Sequence, residues 1–421
     1  MTAIVGILNK TGAVIAADSA TTVPRDQGNR IYNNATKILR LSDTQPVAIM
    51  HFHHTEFMGI PISLLASMYR KKLGTRSFGT LKEYVDDFLS FIHKEPHCND
   101  KSIQDKYLCL EIRTYYDKVR EYSVPGLDDP MEESDHPLTD EEILEIKKAR
   151  LIGGMNAIYE VLIEGEKTVR EFEGFTFKQF QKYAKEDIDA LIQLCEHDGL
   201  PTDMRAEWEE GLYKYLRSTF FFNGTGIVFV GYGEDEIFPS LIPIFVAGIM
   251  DGRLRYIFDP DDESRIDSDT RSVVRPFAQT DVMNTMLRGV SPAIIEKLDD
   301  ITSDTLSNTK ERIAQTLKDS GVSEDIISKV RELDLDEEQK QHDDQINDFI
   351  QQEYVEGLMD TVENFGITDM ANMAESLVAM TSLQRHMTSA EETVGGPIDV
   401  AVITKEDGFV WLKHKDWNTE E

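Results

Sequence analysis

The chain has 421 residues, 44 of them basic and 77 acidic, for a formal net charge of −33. So acidic a balance excludes the phosphate-backbone grip of a nucleic-acid binder, which needs clustered Lys and Arg. No apolar run approaches the ~18 residues of a membrane-spanning helix, and the first residues lack the basic and long apolar stretches of a secretory signal, so a cytoplasmic protein with no membrane partner is expected.

In chain order, the first fifty residues read as strands. Short apolar runs (AIVGIL, GAVIAA, KILRL, PVAIM) alternate with turn formers, and Gly12 closes the first hairpin. Pro61 then opens a helix over ISLLASMYRKKL, and Thr80 with Glu83 forms a capping box before LKEYVDDFLSFI. From about 94 to 220 the apolar spacing is helical, and Thr139 with Glu142 marks another capped start. Strand character returns in GTGIVFVGYG, PSLIPIFVAGIM and RLRYIF. QTDVMNTMLRGV predicts a helix capped by Thr280 or Asp281, residues 291–365 a second charged helical stretch, and DMANMAESLVAMTSLQRHM the last helix. A hairpin of GGPIDVAVI and GFVWL closes the chain.

This order predicts an α+β protein: two antiparallel sheets face to face with helices outside, a four-layer αββα sandwich. The expected core comprises residues 1–93, 221–290 and 366–421, interrupted by helical insertions at 94–220 and 291–365. Cys98, Cys109 and Cys195 are too scattered for a disulfide framework or a zinc site. DPDDESRIDSD lacks the central glycine and final glutamate of a calcium loop and reads as a solvated turn.

TAIVGILNKTGAVIAADSATT followed by NATKILRL resembles the start of a proteasome β subunit and of the related bacterial peptidase rings, members of the N-terminal nucleophile hydrolases. That family begins on a threonine, closes its second strand with an Asp after an Ala pair and opens its third with a Lys; Thr2, Asp18 and Lys37 match. The step from Lys37's Asp partner is a few residues longer here, through VPRDQGNR. GIVFVGYG, QTDVMNTML and AEETVGGPIDVAVITKEDG resemble later family segments, so the likeness spans about half the chain. Departures follow. Glu391 stands where the family has an Asp, and Val394 where it has a serine; Thr393 offers the nearest hydroxyl. Counting from Lys37, the oxyanion-hole backbone donor falls at about His51; Thr22 and His53 are further candidates for this pocket region, and polar filling at a strand end is the plain reading of the histidines.

The chemistry explains the residue types. A threonine hydroxyl is a poor nucleophile, but a free α-amine on the same residue can take its proton. Thr2 has that amine only when Met1 is removed. A nearby Lys37 ammonium lowers the amine's pKa, and Asp18 holds Lys37 in place. Each residue also has a plain structural reading: Thr2 as a product of initiator processing, Asp18 as a strand end, Lys37 as an edge-strand lysine. On a strand His51 and His53 share one face and His54 takes the other. Without a Cys or carboxylate beside them they make a thin metal signal, and no metal or cofactor is expected.

The resemblance implies a threonine-type amidohydrolase acting on peptide or protein substrates through an acyl-enzyme on Thr2, assembled as a homo-oligomeric ring, with an ATPase or other protein as a further partner. Two other readings stay open: a catalytically silent subunit using acidic helical insertions for protein binding, and a small-molecule amidase of the same group.

Overall fold

A computed structural model of the protein describes residues 2–23, 30–124, 126–127, 138–388 and 394–415; at 22, 23, 30 and 31 it describes the backbone alone. The N-terminal hairpin joins β1 (Ala3–Asn9) to β2 (Gly12–Ala17), and both strands are wholly buried. Gly12 is needed for space: a Cβ there would lie 2.9 Å from Ile367 Cδ1 and 3.1 Å from the Ile403 carbonyl. Short strands β3 (Thr21–Val23) and β4 (Arg30–Tyr32) pair with each other, and β5 (Ile38–Arg40) pairs with β6 (Val47–His53). The two-residue strands β7 (Glu56–Phe57) and β8 (Ile60–Pro61) lead to α1 (Ile62–Leu73) and α2 (Leu81–His93). The expected capping box opens α2, with Thr80 and Glu83 each satisfying the other's backbone N–H. Glu236, buried from another part of the chain, also takes the N–H of Leu81 at 2.9 Å.

Next come α3 (Lys101–Tyr122), α4 (Asp140–Ile158), α5 (Phe177–Tyr183), α6 (Lys185–His197) and α7 (Arg205–Arg217). The Thr139–Glu142 box is present, and Thr176 with Gln179 makes another. Strands then resume with β9 (Thr225–Gly231), β10 (Ser240–Met250), β11 (Arg253–Ile257), β12 (Ser264–Arg265) and β13 (Ser272–Ala278). β13 was not among the expected strands. Its arginine and proline break the apolar pattern, and Pro276 is tolerated because β13 is a sheet edge. Then come α8 (Asp281–Arg288), α9 (Pro292–Asp319), α10 (Glu324–Arg331), α11 (Asp336–Ile350), α12 (Glu356–Glu363), α13 (Ile367–Met387) and the hairpin β14 (Asp399–Thr404) with β15 (Gly408–Lys413). The cap expected on α8 differs: Thr280 makes no side-chain capping bond, and the Asp281 carboxylate is held at 2.6 Å by Arg385 of α13.

Among the described residues the longer strands form two antiparallel sheets, ordered β13-β1-β2-β14-β15 and β11-β10-β9-β6-β5, with β12 on β10, while β3 pairs with β4 and β7 with β8 apart from them. Ile4, Leu8 and Ile15 of the first pack with Met50, Val228 and Leu241 of the second. The alternate residues Val5, Ile7 and Val14 pack instead with Leu377 and Val378 of α13. Covered on both faces, β1 and β2 therefore read as continuous apolar runs, each fully buried aliphatic contributing about 1.5–3 kcal/mol. On its other side the second sheet offers Ile49, Phe229 and Ile242 to a core that continues through Phe88 of α2 to Tyr115 and Trp208 of α3 and α7. By contrast α9, α10 and α11 bury only Ala314, Ile327 and Ile350. The result is a mixed α+β fold of antiparallel sheets and helices. Among the described residues no helix is long and apolar enough to cross a membrane.

Candidate active site

Asp18 follows the last residue of β2 and is 1% exposed. Its Oδ1 accepts the N–H of Ala3 at 2.9 Å and the ammonium of Lys37 at 2.7 Å. Oδ2 takes the N–H of Ala20 at 3.1 Å and of Gly395 at 3.2 Å. A buried carboxylate is tolerable only with such charge-assisted bonds, and here they tie three chain segments to one side chain. Lys37 precedes β5 and is 2% exposed. Burial pulls its pKa below the ordinary lysine value, Asp18 opposes that pull, and the positive charge of Lys415 adds to it.

Thr2 is buried at the head of β1. Its carbonyl accepts the N–H of Gln279 at 3.0 Å, just where β13 ends on Ala278 with φ of 65°. That left-handed turn, uncommon for a residue with a Cβ, aims the Gln279 N–H at Thr2. Arg385 of α13 fixes the Gln279 side chain at 2.7 Å. A cavity of about 50 Å3 lies against Thr2, Lys37, His51 and His53, completed by Ala20, Thr21, Phe52 and Thr55. Thr2, Lys37, His51 and His53 are thus brought together, with Asp18 behind Lys37. A cavity of about 570 Å3 shares Thr55 with it and is lined by His54, Met58, Lys106, Tyr107 and Leu110 among others.

Two expectations are refined here. The His51 backbone N–H donates to the Lys37 carbonyl at 3.0 Å, so it belongs to the β5–β6 ladder and is not free to hold an oxyanion. His51 and His53 both line the small cavity, as does Phe52 between them, while His54 lines the larger one. Glu391 and Thr393 lie outside the described residues, as does the Thr22 side chain, although its neighbour Thr21 lines the cavity. Val394 is buried against the α13 side of the first sheet. Among the described residues no group of three or more His, Cys, Asp or Glu is placed to hold a metal ion.

A second buried ion pair, which the sequence reading missed, backs the first. Lys415 donates to Asp399 Oδ2 at 2.7 Å, to Ser19 Oγ at 2.8 Å and to the Ala35 carbonyl. Ser19 Oγ in turn donates to the Pro397 carbonyl at 2.6 Å. The residues flanking Asp18 and Lys37 are therefore pinned to β14 and to the segment after β15. The one local signal was a lone Asp heading the apolar run VAVI.

No family model and no curated protein matches this sequence. Among solved structures, the chain is similar to the Anbu (Gly-1) mutant from Hyphomicrobium sp. strain MC1, at 9% identity and a TM-score of 0.30, over 99% of this chain and 86% of that one. A second Anbu structure from the same organism aligns at 10% identity and a TM-score of 0.30, over 98% and 86%.

Proposed function

We propose that the chain is a threonine-type N-terminal nucleophile hydrolase, resembling proteasome-family peptidases, that cleaves peptide or amide bonds from Thr2 after Met1 is removed. The observation that carries this reading is the buried Lys37–Asp18 pair, 2.7 Å apart, whose Lys37 shares one cavity with Thr2. Thr2 Oγ attacks the substrate carbonyl carbon, and its proton passes to the Thr2 α-amine, directly or through one water. The amine, with the Lys37 charge on the same cavity, returns that proton to the leaving nitrogen as the C–N bond breaks. Water then hydrolyses the Thr2 ester.

The oxyanion donor in this proposal is the backbone N–H of His53. In an antiparallel strand alternate N–H groups point to the same edge, so His53 points where His51 does, but beyond the start of β5. His53 has φ of 65°, where β6 leaves the ladder at the cavity. Such strain at a site is consistent with a backbone held for function.

The proposal extends to the four-layer αββα arrangement, supported by the three apolar clusters between and outside the sheets, and to a homo-oligomeric ring in the cytoplasm. Intact-mass measurement on untagged protein, before and after an electrophile that needs a hydroxyl and an adjacent amine, tests the chemistry. The expected result is loss of the Met1 mass and a single adduct that Thr2→Ala lacks. A retained methionine, or a free Thr2 that never reacts in the assembled protein, removes the reading.

A further inference from the structure

The peptide unit that joins Thr2 to Ala3 is held on both sides. Its carbonyl accepts the Gln279 N–H at 3.0 Å, and its N–H donates to Asp18 Oδ1 at 2.9 Å. A peptide unit is planar, so bonds on its two sides fix the plane and with it Thr2 Cα, which carries both the hydroxyl side chain and the α-nitrogen. The Gln279 side of this clamp hangs on a strained residue. Ala278 has φ of 65°, a conformation that a residue with a Cβ keeps only where its surroundings hold it. On one side Ala278 is paired with Ala3 in the β1–β13 ladder. On the other, the buried Gln279 side chain accepts from Nε of Arg385, in the last turn of α13, at 2.7 Å. The second arm of the same guanidinium, Nη2, donates to the half-exposed Asp281 of α8 at 2.6 Å.

We infer that Arg385 is a positioning residue for Thr2: through the Gln279 side chain it holds the left-handed turn at Ala278, and that turn keeps the Thr2 carbonyl, and so the nucleophile, in place. This role rests on the reading of Thr2 as nucleophile. The two arms of the guanidinium then have separate tasks. The arm on Gln279 bears on Thr2, whereas the arm on Asp281 ties α13 to α8 through a partly solvated ion pair, which contributes little. Strain is the reason the turn needs an arginine. Glycine adopts positive φ without that strain, so in Ala278→Gly the turn stands with less help and Arg385 matters less.

Full-length protein freed of Met1 is exposed to increasing concentrations of an electrophile that needs a hydroxyl and an adjacent amine, and intact mass follows the adduct on Thr2. Arg385→Ala and Gln279→Met are each expected to lower the maximal rate about 10- to 100-fold and to leave the half-saturating concentration unchanged, since a displaced nucleophile still meets a bound reagent. The double variant should be no slower than the slower single one, because both act through one bond. Asp281→Ala should lose less than about fivefold. In an Ala278→Gly background the loss on Arg385→Ala should shrink to about fivefold or less, which a role in helix docking alone would not produce. Should Arg385→Ala not fold, Gln279→Met carries the test in both backgrounds. An unchanged rate in Gln279→Met, a loss in Asp281→Ala as large as that in Gln279→Met, or a loss undiminished by Ala278→Gly overturns the inference. A wild-type Thr2 that never takes the electrophile removes the nucleophile and this role together, whereas a reactive Thr2 indifferent to Gln279→Met removes the role alone.

Discussion

Three side chains at the candidate site have burial as their main problem, and each solves it differently. Asp18 has three backbone N–H groups and an ammonium; Lys37 has Asp18; His51 stays neutral. The His51 solution has a thermodynamic signature. Its pKa is about 4 in the folded protein against 6.5 when exposed, so the unfolded chain binds the extra proton first as pH falls. Stability should therefore be whole above pH 6.5 and decline as pH falls toward 4, by up to about 3 kcal/mol from this group alone. Thermal unfolding of wild type and His51→Gln from pH 7 to 4.5 should show a shallower slope in the variant; parallel slopes would count against a neutral buried ring. The groups acting on the ring are the Thr36 carbonyl at its Nε2 and the Lys37 charge across the ladder. For the Asp18–Lys37 pair, either single alanine substitution should lower turnover about 100- to 10,000-fold, and the double variant should be little worse, because both residues act through one ammonium. Additive losses would mean separate roles. Asp18→Ala should also destabilise by about 3–5 kcal/mol, since it strands a buried cation.

At the scale of elements, the start of α2 shows how local and distant signals divide the work. The Thr80–Glu83 box is written within four residues, and Thr80→Ala should cost about 1 kcal/mol. Glu236 is 155 residues away and satisfies the N–H of Leu81 at 2.9 Å, that of Gly233 at 2.6 Å and the Ser240 hydroxyl at 3.2 Å. Losing it leaves several buried donors unpaired, so Glu236→Ala should cost about 2–4 kcal/mol, more than the cap itself. Denaturant midpoints of the two variants check the order. β13 makes the complementary point. An arginine and a proline hide it from pattern reading, yet it lies along the whole of β1, from Ala3 opposite Ala278 to Asn9 opposite Ser272. Its last turn delivers the Gln279 N–H to Thr2.

At the scale of the whole molecule, the two charged helical stretches are not equivalent. Helices α3–α7 share one apolar core with the second sheet, and Arg255 of β11, fully buried, reaches Glu111 of α3 at 3.1 Å and the Tyr107 hydroxyl at 2.7 Å. Such a join makes α3 part of the same cooperative unit as the sheet. Helices α9–α11 are tied down by few buried residues. We expect hydrogen exchange to report near-global protection for the amides of α3 and β9, and opening at much lower free energy for α9–α11. Equal protection in both would count against this difference in local stability.

Local chemistry determined much of this protein. Continuous β-branched runs specified β1, β2, β6 and β9, and Ser/Thr with Glu/Gln three residues on specified where α2 and α4 begin, because backbone sterics and end-capping act within a few residues. The spacing of Thr2, Asp18 and Lys37 was likewise legible, since two adjoining hairpins fix which strand ends meet. Only the tertiary structure decided what surrounds them. The Lys415 bond to Ser19, the Gln279 bond to Thr2 and the Gly395 bond to Asp18 join residues hundreds of positions apart, where sequence pattern carries no distance information. The His51 backbone shows the same limit. Counting along the chain made it an oxyanion donor, whereas the pairing of β6 with β5 turned its N–H to Lys37, and its imidazole lies against the Thr36 carbonyl. Hydrogen-bond direction along a strand is set by its register with a neighbour, and register belongs to the fold rather than to any one segment.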